Sequence, residues 1–171
     1  MSEIGVGLCV LLGISKDDTQ REAEWLARKI VNLRLFDDDN GKPWEKSVAD
    51  RKHEILCVSQ FTLCQVLKGN KPDFHQAMRA EESEPMYTDF LGLLGKMYQP
   101  EKIKGGRFGA IMQVHIQNDG PVTIQLETPN LPPPKERKPQ NPPKKKAMES
   151  SEDTASKKME KMAVSDAPEE K

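Results

Sequence analysis

Ile55-Leu56-Cys57-Val58-Ser59-Gln60-Phe61-Thr62-Leu63 is the stretch on which the fold turns. The apolar run from Ile55 to Val58 reads as a buried strand, and the strand is expected to span residues 54–63. Alternation then places Ser59, Phe61 and Leu63 on one face and Gln60 and Thr62 on the other. Two hydroxyls flank an aromatic at the strand's end. No His, Asp or Glu adjoins either hydroxyl in sequence, so no activated nucleophile is visible locally. By itself the segment reads as a strand end whose polar residues meet water.

Outward from this strand, the pattern alternates strands and helices. Residues 6–14 read as a second buried strand. Asp17 or Asp18 is expected to cap a helix carrying Ala23, Leu26, Ala27, Ile30 and Leu33 at helical spacing. Asp39-Asn40-Gly41-Lys42, after Leu33-Arg34-Leu35-Phe36, signals a tight hairpin. A second helix is expected over 81–97, with Met86, Phe90, Leu93, Leu94 and Met97 on one stripe and Pro100 helping to end it. Residues 107–117 and 121–127 read as two strands paired antiparallel.

Between those last two strands lies Asn118-Asp119-Gly120-Pro121-Val122-Thr123-Ile124. Proline donates no ladder hydrogen bond and is pushed to strand starts, edges or bulges. An X-Pro bond is also the one place where a cis peptide is cheap. A cis Gly120-Pro121 bond would turn two neighbouring carbonyls the same way, able to read ligand shape without a reactive side chain. Asp-Gly is equally a common hairpin-turn dipeptide, and that reading stands beside the first.

The 171 residues hold one ordinary domain and a tail. The formal net charge is −1, so no global basic field argues for nucleic acid. Residues 1–128 carry sixteen Lys and Arg against nineteen Asp and Glu; residues 129–171 carry ten against eight. RNA would therefore be held by local patches, for which Lys68, Lys71, Lys102, Lys104 and Arg107 are candidates. Each is equally readable as a solvated surface charge. The three cysteines are Cys9, Cys57 and Cys64. Cys9 and Cys57 sit in apolar strand patterns and read as small buried hydrophobes, and a reducing setting without structural disulfides is expected. His53, His75 and His115 share no metal-ligand spacing, so neither metal nor cofactor is indicated. No signal peptide or membrane-spanning run is apparent.

The Ser59-Gln60-Phe61-Thr62 segment and the later Asn118-Asp119-Gly120-Pro121-Val122-Thr123 segment, in this order, resemble the D-aminoacyl-tRNA deacylase family. Gly5–Ile14 resembles the family's early strand, and Lys68-Gly69-Asn70-Lys71-Pro72-Asp73-Phe74 its Lys/Gly-rich loop. Gly106-Arg107-Phe108-Gly109-Ala110 with Met112-Gln113-Val114 resembles the strand before the Gly-Pro turn. The likeness covers residues 5–128 and is nearest to animal cytosolic members. It implies an α/β (α+β) domain over 1–128, with a mainly antiparallel, barrel-like sheet and two main helices, followed by a disordered tail over 129–171.

The resemblance also implies an activity. The substrate is the ester joining a D-amino acid, or glycine, to the terminal ribose of tRNA, and L-aminoacyl esters are rejected. Ser59, Gln60, Phe61 and Thr62 form the catalytic segment. Gly120 and Pro121, cis and offered from the other subunit of a homodimer, give chiral selectivity. Phe108 and Met112 line the pocket for the terminal adenosine, and Lys68, Lys71 and Arg107 contact tRNA phosphates. Cytoplasmic localisation, with a nuclear fraction, is expected.

Members of the family begin with a further strand and hairpin before the position of Gly5, whereas this chain opens at Met1-Ser2-Glu3-Ile4. An exposed sheet edge with unpaired ladder groups is the expected consequence. A truncated isoform, a different start and an inactive paralogue all remain open.

The tail has eight prolines, no glycine and no aromatic. Pro132-Pro133-Pro134 favours polyproline II. Lys144-Lys145-Lys146 suits nuclear import or phosphate binding, including DNA, and Ser150 and Ser151 precede acidic residues as phosphorylation candidates. An inert solubilising tail is the alternative.

Overall fold

The computed structural model describes residues 1–129 and 131. The expectations for the triple proline, the triple lysine and Ser150–Ser151 fall outside them. In chain order the elements are β1 (Gly7–Leu12), α1 (Gln20–Asn32), β2 (Arg34–Phe36), β3 (Lys46–Ser47), α2 (Val48–Arg51), β4 (Glu54–Ser59), β5 (Val66–Lys68), β6 (Lys71–Asp73), α3 (Ala80–Met97) and β7 (Ile103–Gly105). Short 3-10 helices cover Phe61–Cys64 and Pro100–Lys102. No helix among the described residues is long and apolar enough to cross a membrane.

The α/β class and the two main helices are present, but the central sheet is parallel rather than mainly antiparallel. Its order is β1-β4-β7, and both pairings run parallel. The reason lies in the connections. Parallel neighbours need a long crossover, and here α1 and α2 lie between β1 and β4 while α3 lies between β4 and β7. Among the described residues, antiparallel ladders are confined to two short ribbons, β2–β3 and β5–β6, with one isolated antiparallel bridge between Ser15 and Ala77. Gly7 sits opposite Glu54 where β1 meets β4, and a Cβ there would fall 2.0 Å from the Glu54 carbonyl oxygen.

Helix α1 begins one residue later than an Asp18 cap implies and two later than an Asp17 cap. Thr19 is the N-cap, and Glu22 reaches back to the Thr19 backbone N–H at 2.9 Å, a reciprocal pair that satisfies two orphan donors. Asp18 instead accepts the Ser15 N–H at 2.7 Å. The helix ends at Asn32, and Leu33, extended, leads into β2. Ala23, Ala27, Ile30 and Val31 form its buried face. They join Leu12, Val48, Ile55, Cys57, Tyr87, Phe90 and Leu94 in one core, in which Val48, Ile55, Cys57 and Leu94 are wholly buried. Each large aliphatic buried in this way contributes about 1.5–3 kcal/mol.

Two expected strands are not formed. Residues 107–117 and 121–127 enter no sheet, and among the described residues no backbone group from 111 to 128 pairs with another backbone group. Ile111, Ile116 and Ile124 are exposed. Alternation supplies a strand's pattern, but a ladder also needs a neighbouring edge in register. The turn itself is closed by side chains: Asn118 Oδ1 accepts the Val122 N–H at 3.2 Å, and Asn118 Nδ2 donates to Thr123 Oγ1 at 3.1 Å.

Candidate active site

Strand β4 carries the core as far as Ser59, which pairs with Leu12. Gln60 still donates its N–H to the Leu12 carbonyl at 2.7 Å as the chain leaves the sheet. The chain then coils into the 3-10 helix at Phe61. The strand is therefore shorter than 54–63, and the alternation expected beyond Ser59 does not apply. Phe61 and Leu63 are exposed, and Thr62 is half-buried between them. The coil brings Gln60 and Thr62 together: the Gln60 amide donates to Thr62 Oγ1. A hydroxyl that accepts from an amide retains its own proton to donate elsewhere. The N–H groups of Phe61 and Thr62 open the 3-10 helix and find no acceptor among the described residues. The segment thus presents one oriented hydroxyl and two unpaired backbone donors.

The Lys/Gly-rich loop is the β5–β6 ribbon, turning at Gly69 with φ +64°. The Phe61 ring meets Phe74 edge-on at 5.1 Å, which fastens the ribbon's end to the candidate segment. Lys68 is paired with Asp73, whose other oxygen lies 2.5 Å from His75 Nδ1. The Lys68 ammonium, then the His75 N–H groups, hold the Asp73 carboxyl well below the usual carboxylate range. Lys68 is thus already engaged, although its side chain stays 67% exposed. Lys71 is exposed at the start of β6, and Arg107 is exposed beyond β7.

The Gly120-Pro121 bond is cis, with Gly120 at φ +113°. Thr62, Gly106, Arg107, Met112 and Gly120 line one wide open trough, which β1 also borders. Ser59, Gln60, Phe61, Lys68, Lys71, Phe108 and Pro121 do not line it. Phe108 is half-buried against the core, whereas Met112 is 38% exposed. No cluster of three potential metal ligands occurs among the described residues. Cys57 is wholly buried, and burial pushes its thiol up to about 12.

Sequence reasoning missed Tyr87. It is 3% exposed, and its hydroxyl donates toward the carbonyls of Cys57 at 2.8 Å and Gly106 at 3.0 Å. The available signal was a tyrosine three residues before Phe90 and seven before Leu94, since a buried phenol needs a partner.

A family profile described as D-Tyr-tRNA(Tyr) deacylase matches residues 1–127. The chain belongs to this deacylase family. D-aminoacyl-tRNA deacylase 1 of Homo sapiens is 66% identical over 129 residues, 75% of this chain and 62% of that protein. The Bos taurus protein of the same name is 65% identical over the same shares. The chain thus spans 62% of the length of these vertebrate deacylases. The Drosophila melanogaster D-aminoacyl-tRNA deacylase is 60% identical over 75% of this chain and 81% of its own length. Among solved structures, one named c-Myc DNA Unwinding Element Binding Protein aligns with a TM-score of 0.72 at 67% identity, covering 74% of this chain and 85% of its own. A structure of a probable eukaryotic D-amino acid tRNA deacylase aligns at 16% identity with a TM-score of 0.54, covering 62% of this chain and 76% of its own, and bears on the fold alone.

Proposed function

We propose that this protein hydrolyses the ester of D-aminoacyl-tRNA and of glycyl-tRNA while sparing L-aminoacyl-tRNA. The observation that carries the reading is the end of β4, where the Gln60 amide orients the Thr62 hydroxyl beside two unpaired N–H groups. It lies in a chain whose relatives are named D-aminoacyl-tRNA deacylase. An aminoacyl ester is already activated, so catalysis reduces to placing the attacking oxygen and stabilising the oxyanion. The N–H groups of Phe61 and Thr62 receive the developing negative charge. The Thr62 hydroxyl orients the attacking water or ribose hydroxyl, and Ser59 and Gln60 shape the pocket. Phe108 and Met112 receive the terminal adenosine, and Lys68, Lys71 and Arg107 meet phosphates. Gly120 and Pro121, presented by the second copy of a homodimer, exclude an L side chain with main-chain atoms. A glycyl ester has no side chain to exclude and is cleaved too.

The test is release of amino acid from matched D-Tyr-, Gly- and L-Tyr-tRNA by the purified chain, with its mass measured in solution. D-Tyr and Gly are released and L-Tyr is retained. Equal cleavage of the D and L esters by a folded dimer rejects the reading. A DNA-binding role is the second reading, favoured by the name of the 67%-identical neighbour and by Lys144–Lys146. Deleting residues 129–171 abolishes salt-sensitive DNA binding under that reading and leaves deacylation intact under the first. Cytoplasmic placement with a tail-dependent nuclear share follows from the same split, and a fluorescent fusion with and without the tail reads it out.

A further inference from the structure

Strand β7 ends at Gly105, and the exposed arm carrying Arg107, Phe108 and Met112 starts at Gly106. Everything at this junction is tied to Tyr87 of α3. The Gly106 N–H donates to the Cys57 carbonyl at 2.8 Å and so closes the last rung of the β4–β7 ladder, the Cys57–Gly105 pair. The Tyr87 hydroxyl reaches the same Cys57 oxygen at 2.8 Å and the Gly106 oxygen at 3.0 Å. One phenolic proton is shared between two carbonyls, one on the strand that ends in the catalytic segment and one at the root of the arm. The Tyr87 ring also packs on Phe108, with centroids 5.7 Å apart and planes tilted by 42°.

The junction leaves no slack. A Cβ on Gly105 would lie 3.2 Å from the Tyr87 hydroxyl and 2.6 Å from Leu91 Cδ1. A Cβ on Gly106 would lie 3.3 Å from Val58 and 3.4 Å from the Met112 sulfur. Met112 therefore closes on the same residue that Tyr87 anchors. Burial raises the Tyr87 phenol to about 12, and a phenol is a donor through the neutral range even at its ordinary value near 10.

We propose that Tyr87 is a positioning residue for the nucleoside end of the substrate: its hydroxyl sets the angle at which the arm leaves the sheet, and its ring seats Phe108. The inference rests on the reading above that Phe108 and Met112 receive the terminal adenosine. Tyr87 touches no reacting atom. It holds the surface on which the adenosine rests at a fixed distance from the Thr62 segment, because the segment continues β4 and the arm continues β7, its neighbour in the sheet.

Tyr87→Phe keeps the ring and removes only the hydroxyl anchor. With D-Tyr-tRNA we expect KM to rise about five- to tenfold with kcat within about twofold, since binding rather than chemistry is disturbed. A stable D-tyrosyl-3′-amino-3′-deoxyadenosine amide loses affinity by the same factor in calorimetry. A purely structural tyrosine gives another pattern: a lower melting temperature and lower kcat from a smaller folded fraction, with KM and amide affinity unchanged. That pattern, or no change at all, overturns the proposal. Phe108→Leu supplies a second arm. It should raise KM similarly, and the double variant should be little worse than either single one; additive losses overturn the coupling. Should the parent bind the amide without hydrolysing the ester, the proposed activity fails while amide binding still decides Tyr87. A parent that hydrolyses the D-ester but binds no amide keeps the activity and overturns the adenosine-seating role of Tyr87.

Discussion

Residues 54–58 and residues 111–124 carry similar strand-forming patterns and end in opposite states. The first lies between β1 and β7 with Ile55 and Cys57 wholly buried; the second leaves Ile111, Ile116 and Ile124 in water and makes no ladder with described residues. β4 has an edge on each side at matched register, and the arm has none. A strand is a property of two segments at least, and its stability is that of cross-strand contact rather than of backbone preference.

Hydrogen exchange offers the widest test of this contrast. Amides of Leu56 and Cys57 should exchange at least about a thousandfold more slowly than those of Val114 and Ile116, because the former need opening of the core. Equal protection would mean that the arm finds a ladder in solution. Next in size is stability. Leu94→Ala, at a wholly buried site, should cost about 2–5 kcal/mol in urea unfolding, and Ile116→Ala less than about 0.5 kcal/mol. A large loss from Ile116→Ala would place the arm inside a packed interface.

The proposed catalytic segment continues the packed strand into an exposed coil. Thr62→Val should leave the urea midpoint nearly unchanged and lower D-Tyr-tRNA turnover by about ten- to a hundredfold. Unimpaired turnover would remove the hydroxyl from the mechanism and leave the backbone donors alone. The smallest effect sits on the β5–β6 ribbon. Asp73 titrates lower when folded than unfolded, so it stabilises the ribbon above the unfolded value near 3.9. That contribution disappears as the pH falls through the lower folded value. Lys68→Met should therefore raise the Asp73 midpoint in an NMR titration, and an unmoved midpoint would assign the shift to His75.

β1 and β4 are legible because they are short apolar runs, and α1 and α3 because their apolar residues recur at helical spacing, whereas the three residues of β7, Ile103–Gly105, carry no strand signal of their own. The cap at Thr19 was missed because Asp17 and Asp18 are equally good cap residues; only the reach of Glu22 selects Thr19. Parallel pairing was hidden because a single strand's pattern does not state its neighbour's direction. The coil at Phe61 was hidden as well. A 3-10 turn and a strand end look alike in five residues, and only the coil brings the Gln60 amide to Thr62. Tyr87 shares a face with Phe90 and Leu94, but the sequence does not show which carbonyls its hydroxyl meets.

The closeness of Gly7 to Glu54 has a consequence at the level of the gene. Every residue other than glycine places a carbon where the Glu54 carbonyl oxygen already stands, so the Gly7 codon admits no missense change that keeps β1 seated on β4. Gly41 and Gly69 are looser: space around each is empty and only the positive φ restricts them, which leaves asparagine and aspartate open. A saturation library selected for folded protein should show one blank column and two narrow ones.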